Sequence, residues 1–189
     1  MDGNSQSRVA TASRLSAAPR QDAIADDAVW REATEAANAA YAAGDVPRAL
    51  ALYHQGTDEA ERLFALASNN GTSVPIAVIY NISCHNLAEI AERSGDEAAA
   101  EGFLVRAYDK LLASAASPET ALPLRLDCTR HLKHALALLV RHLHRRAAPD
   151  AEIASYVDQA KATAFAVFHV AKHAEIAHLN CDHCAVLPS

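Results

Sequence analysis

Residues 42–56, AAGDVPRALALYHQG, and residues 92–107, ERSGDEAAAEGFLVRA, follow one pattern 51 positions apart. Each contains a Gly-Asp pair, Gly44-Asp45 and Gly95-Asp96. Five residues after each glycine stands an alanine, Ala49 and Ala100, and nine after it a large apolar residue, Tyr53 and Leu104. Twelve after it comes a small residue, Gly56 and Ala107. Upstream, Ala36 and Ala37 of the first stretch match Leu87 and Ala88 of the second. Glycine permits a tight reversal, small residues let two helices approach closely, and the large residue fills the space between them. The pattern therefore predicts a helical hairpin made twice. A fainter third copy places Ala148 in the glycine slot, with Ile153, Val157 and Ala160 following.

Outward from these turns, six helices are expected, at about 27–43, 46–68, 75–94, 97–116, 119–147 and from 150 towards 178. Pro75 suits the first turn of the third, and Pro118 and Pro149 mark later joints. Apolar residues recur at helical spacing: Ile76, Ile79, Tyr80, Ser83, Leu87 and Ile90 in the third helix, Cys128, Leu132, Leu136, Leu139 and Leu143 in the fifth. One-sided stripes joined by short turns predict an all-α protein of stacked antiparallel hairpins. The expected division is a disordered N-terminal tail over 1–25, a helical domain over 26–180 and a C-terminal Cys/His tail over 181–189.

Over about residues 30–112 the pattern resembles the tetratricopeptide repeat (TPR) family, and stretches such as IYNISCHNLAEIAERSGD resemble small bacterial TPR-like proteins. The resemblance implies a right-handed superhelix or a compact bundle of such hairpins. The 51-residue spacing exceeds the family's 34, which implies an overlong second helix. It also implies a non-enzymatic adaptor or regulator that binds a protein or peptide in a groove lined by the first helix of each pair. Groove positions carried across are Arg31, Glu35, Asn38 and Tyr41, then His85, Asn86, Glu89 and Arg93, then His142 and Arg145. Asn86 and Arg93 lie seven residues apart, two turns along one face, where related domains grip a terminal carboxylate. Guanidinium and amide donors suit that group because they offer directed hydrogen bonds. A solvated helix face would show the same residues.

Composition bounds the alternatives. The chain has 189 residues, 5% aromatics and a net charge of −6, with the basic residues concentrated in RHLKHALALLVRHLHRR at 130–146. An acidic chain with one basic helix suits an acidic partner and argues against general nucleic-acid binding. No apolar run reaches membrane-span length, and the first 25 residues lack a secretory apolar stretch. A cytoplasmic protein with reduced thiols is expected. No phosphate-binding glycine loop, Gly-x-Ser-x-Gly, Ser-x-x-Lys or His-Glu-x-x-His motif occurs, so no enzyme is expected. Apolar flanks on the second and sixth helices leave a homodimer open.

The stretch HVAKHAEIAHLNCDHC at 169–184 offers the one metal-ligand cluster, and zinc or copper binding is the alternative function. His169 and His173 lie four apart, about 40° around a helix, close enough to share a metal. On an unbroken helix Cys181 lies about 18 Å beyond His169, so adding Cys181 and Cys184 requires a reversal near Leu179-Asn180. Surface imidazoles with incidental thiols are the competing reading, and no cofactor is otherwise expected.

Overall fold

The computed structural model describes residues 26–70 and 74–184, with the backbone alone at 69–70 and 176–184. It contains α1 (Ala28–Ala42), α2 (Val46–Asn70), α3 (Ile76–Arg93), α4 (Glu97–Ala116), α5 (Leu122–Arg145) and α6 (Asp150–Cys184), and no strand among the described residues. Each helix packs against the next, α3 also meets α5, and α4 also meets α6. Alternate helices thus form two layers, α1, α3 and α5 in one and α2, α4 and α6 in the other. The all-α stack of antiparallel hairpins is the observed architecture.

The Gly-Asp pairs act as paired caps. Gly44 and Gly95 have φ of 80° and 78°, the left-handed region that costs a side-chain-bearing residue energy. The Gly44 N–H donates to Tyr41 O at 3.0 Å and the Asp45 N–H to Ala40 O at 2.9 Å. Gly95 and Asp96 repeat this onto Glu92 O at 3.1 Å and Ala91 O at 2.9 Å. These bonds satisfy the last carbonyls of the incoming helix. The aspartate then starts the outgoing one. Asp45 Oδ1 accepts from the Arg48 N–H at 3.2 Å, and Asp96 Oδ1 from the Ala99 N–H at 2.9 Å.

The third turn corrects the register expected for Ala148. Ala147 holds the glycine slot, with φ of 55° and its N–H on His144 O at 3.1 Å. The Ala148 N–H reaches Leu143 O at 2.9 Å, as Asp45 and Asp96 do in theirs. Pro149 is then an extra loop residue, because α6 starts three positions after the left-handed residue and α2 and α4 start two after. The insertion restores the helix phase. Ile153 and Ala160 are buried and Val157 packs on the core, as Ala49, Gly56 and Tyr53 do in the first hairpin.

Two helix starts also differ from expectation. α5 begins at Leu122 rather than 119, because Pro123 lacks an N–H and its ring would clash with the carbonyl four residues earlier. Pro75 is the cap residue before α3, not its first helical residue. At the other end α6 continues past 178 to Cys184. With 35 residues against 24 in α5, it is about 52 Å long against about 36 Å, so its last turns run beyond α5.

The core contains Phe64, Tyr80, Leu104, Tyr108, Leu111, Leu132 and Leu139. Gly56 lets α1 lie close to α2, since a Cβ there would sit 3.4 Å from Thr34 Oγ1 and 3.8 Å from Trp30 Cδ1. Trp30 fastens α1 to α3, its Nε1–H donating to Ser83 Oγ at 2.8 Å. Cys84 and Cys128 are free and buried, small members of the core. Burial pushes their thiols up to about 11 and about 12, which leaves both protonated near neutral pH.

Candidate functional site

The α3 helix is covered on both flanks and displays one open strip, polar from His85 onward, because its buried positions leave only Val78, Ile82, His85, Asn86, Glu89, Glu92 and Arg93 reaching outward. Asn81 and His85, four residues apart on one edge of this strip, carry an unusual feature. Asn81 Oδ1 and His85 Nδ1 are buried and, among the described residues, have no hydrogen-bond partner. Burying an unpaired polar atom costs roughly 1–3 kcal/mol, which marks this edge of the strip as a candidate contact point; His142 Nε2 is a third such atom.

Beside them the predicted residues fall into two groups. Asn38 Oδ1 accepts from the Tyr53 hydroxyl at 2.5 Å. Burial pushes the Tyr53 phenol up, and the neighbouring Glu89 carboxylate adds to the shift. Glu89 in turn accepts from Arg93 at 2.6 Å, and the Arg93 guanidinium lies 5.5 Å over the Tyr41 ring. Asn38, Tyr41, Glu89 and Arg93 are therefore one patch spanning α1 and α3. The Arg93–Glu89 pair is exposed, and such pairs contribute little to stability. A competing carboxylate can replace Glu89 at little cost.

The second group differs from the expected open groove. His142 is 1% exposed, wedged between the ends of α3, α4 and α5. Its Nδ1 lies 3.4 Å from Glu92 Oε1 and 3.1 Å from Arg145 Nη2, and its Nε2 lies 3.4 Å from Glu101 Oε2 without hydrogen-bond geometry. Arg145 donates two hydrogen bonds to Glu92 and holds that carboxyl low, burial opposing it. Arg146 pairs with Glu101 at 2.6 Å and with Glu152. These basic residues of α5 are spent on joining the hairpins. The strip of charge at 130–146 conceals this, since sequence gives no sign of which acidic side chains face it. Arg31 pairs at 2.7 Å with Asp27, the cap residue before α1, and Glu35 and Asn86 are exposed and half-buried respectively.

A further cluster escapes sequence reasoning. Glu61 of α2 accepts from the Tyr80 hydroxyl at 2.6 Å, Arg106 Nη2 at 3.1 Å and Lys110 Nζ at 2.8 Å. Burial would raise the Glu61 carboxyl, but the hydrogen bonds from Lys110, Tyr80 and Arg106 outweigh it and hold it below the usual range. Lys110 Nζ also lies 5.0 Å from the Phe64 ring centre and 5.6 Å from that of Tyr80. The 49-residue gap between Glu61 and Lys110 has no local spacing signature. A shallow cavity of about 440 Å³ lies between α4 and α6, lined by Asp109, Leu112, Ala116, Ala162 and Thr163, and none of the sequence-predicted residues borders it.

In the sixth helix His169 and His173 are brought together, their Nε2 atoms 3.1 Å apart. The reversal near 179–180 on which a four-ligand site depended does not form, because α6 passes through those positions as helix. The side chains of Cys181 and Cys184 lie outside the described residues. Among the described residues no three His, Cys, Asp or Glu side chains form a metal-holding group, and no helix is long and apolar enough to cross a membrane.

No curated protein and no solved structure matches the chain. One family model does, over residues 28–175, which takes in α1 to α5 and most of α6. The chain belongs to the family described as "Protein of unknown function (DUF2753)".

Proposed function

We propose that this protein is a cytoplasmic, non-enzymatic adaptor or regulator that binds a peptide segment along the open strip of α3 between α1 and α5, in the manner of TPR-like domains. The observation that carries the reading is the pair of buried, unpartnered atoms Asn81 Oδ1 and His85 Nδ1. An extended peptide supplies backbone N–H and C=O groups at short intervals and can satisfy both. Asn86 adds an amide beside them. Arg93 receives the peptide's terminal carboxylate in exchange for Glu89, a swap of one exposed ion pair for another. His142, buried behind Glu92, walls the α5 end of the strip, and the exposed Arg145 stands at its rim.

Selection from a display library of random peptides with free C-termini, against the full chain, tests this. Peptides that bind are expected to lose about tenfold in affinity, near 1.4 kcal/mol, on His85→Ala and on Arg93→Glu, with circular dichroism unchanged. Amidation of the peptide C-terminus is expected to reproduce the Arg93→Glu loss. A selection that yields no binder, or binders indifferent to both substitutions, contradicts the reading.

A further inference from the structure

The His169–His173 pair stands on the outer face of α6, on the turns leading to the end that overhangs the bundle. Both rings are exposed. Phe165 stacks on His169, centroids 6.0 Å apart and planes within 9°, which fixes the first ring. The second ring meets the first edge-on at 4.5 Å, with the two Nε2 atoms 3.1 Å apart. Two nitrogens bound to one tetrahedral zinc at 2.0–2.1 Å stand about 3.3 Å from each other. The separation of the two nitrogens is therefore within a few tenths of an ångström of that in a bidentate zinc chelate, and the exposed His173 ring turns to aim its lone pair at the metal.

A chelate of two nitrogens fills only half of a zinc coordination shell. The chain offers no third ligand nearby among the described residues. Its own thiols are out of reach along a continuous helix, since Cys181 lies eight residues, about 12 Å of rise, beyond His173. The same helix also carries apolar surface that nothing among the described residues covers, Phe165 at 76%, Phe168 at 55% and Val170 at 43% exposed. Core-facing positions such as Val167 alternate with these, so the segment is apolar on more than one side. A helix with that pattern is ordinarily enclosed by other chain.

We propose that one zinc ion joins two copies of this protein, each giving His169 Nε2 and His173 Nε2, on a two-fold axis through the metal. The ion gains four nitrogen ligands and the exposed phenylalanines gain cover from the partner copy. A symmetric pair supplies identical halves, which is why two ligands from one chain suffice. The inference is independent of the peptide strip on α3, which lies on another helix and another layer.

The test uses the full-length chain without an affinity tag, freed of metal and then titrated with zinc chloride. Sedimentation is expected to show a mass rising from 20.1 kDa to twice that, with one zinc per two chains by elemental analysis. His169→Ala and His173→Ala are each expected to abolish the zinc-dependent dimer while leaving helicity intact, since both side chains are exposed. The double variant Cys181→Ser, Cys184→Ser is expected to dimerise as wild type does. A mass that stays monomeric with zinc overturns the proposal. So does one zinc per chain, a dimer that survives the histidine substitutions, or loss of the dimer in the cysteine variant.

Discussion

Replacing Tyr80 with alanine is expected to lower the unfolding free energy by about 4 kcal/mol, within the range for truncating a buried aromatic side chain. Tyr80 is 0% exposed and meets Phe64 edge-on at 5.5 Å. Its hydroxyl also links Glu61 of α2 with Arg106 of α4. Alanine empties the space between three helices and removes one of the donors that keep Glu61 ionised. Tyr80→Phe retains the ring and loses only the hydrogen bonds, for about 1–2 kcal/mol. Urea unfolding of the two variants separates packing from polar contribution. Equal losses in both would show that the aromatic packing described here contributes little.

Trp30→Ala is expected to cost about 3 kcal/mol, at the low end of the range because the ring is only partly buried. The indole fills the space left by Gly56 and holds α1 to α3 through Ser83. α1 is the first helix among the described residues, and its main packing is with α2. Its loosening should therefore be local. Hydrogen exchange in the variant is expected to rise in α1 well before α4 and α5. Uniform acceleration across all six helices would contradict a stack of separable hairpins.

Much of this architecture could be read from the residues. Gly44-Asp45 and Gly95-Asp96 placed two turns correctly, because a left-handed cap and an aspartate cap leave local signatures. The apolar periodicity of α3 and α5 identified their buried faces, and Ser83 was rightly grouped with the apolar stripe. The third turn was misplaced by one residue because alanine hides a left-handed position that glycine announces. Ala147 bears a strain that sequence does not display. The start of α5 was set too early because Pro123 was passed over as a boundary signal.

The candidate site was legible in part. His85, Asn86, Glu89 and Arg93 share one strip of α3, as helical spacing required, and Asn38 of α1 stands beside it, which spacing within one helix does not foretell. His142 was misjudged because amphipathic patterning tells which face of α5 is polar and not what that face meets. Four carboxylates from three other elements, Glu92, Glu97, Glu101 and Glu152, surround the end of α5. The Glu61 cluster has the same cause. Its partners are set by how α2, α3 and α4 cross, and spacing along one helix carries no record of that.

Three substitutions test most directly whether the molecule is one hairpin made three times: Gly44→Ala, Gly95→Ala and Ala147→Gly, each followed by urea unfolding. A left-handed residue with a Cβ costs about 1–2 kcal/mol. The first two variants are therefore expected to lose about that much apiece, although nothing lies within 4 Å of either added Cβ. Ala147→Gly is expected to gain about 1 kcal/mol by relieving the same strain. Were Ala147→Gly instead to lose stability, as an alanine-to-glycine change does in a helix interior, the third turn would not be the counterpart of the other two, and the account would fail.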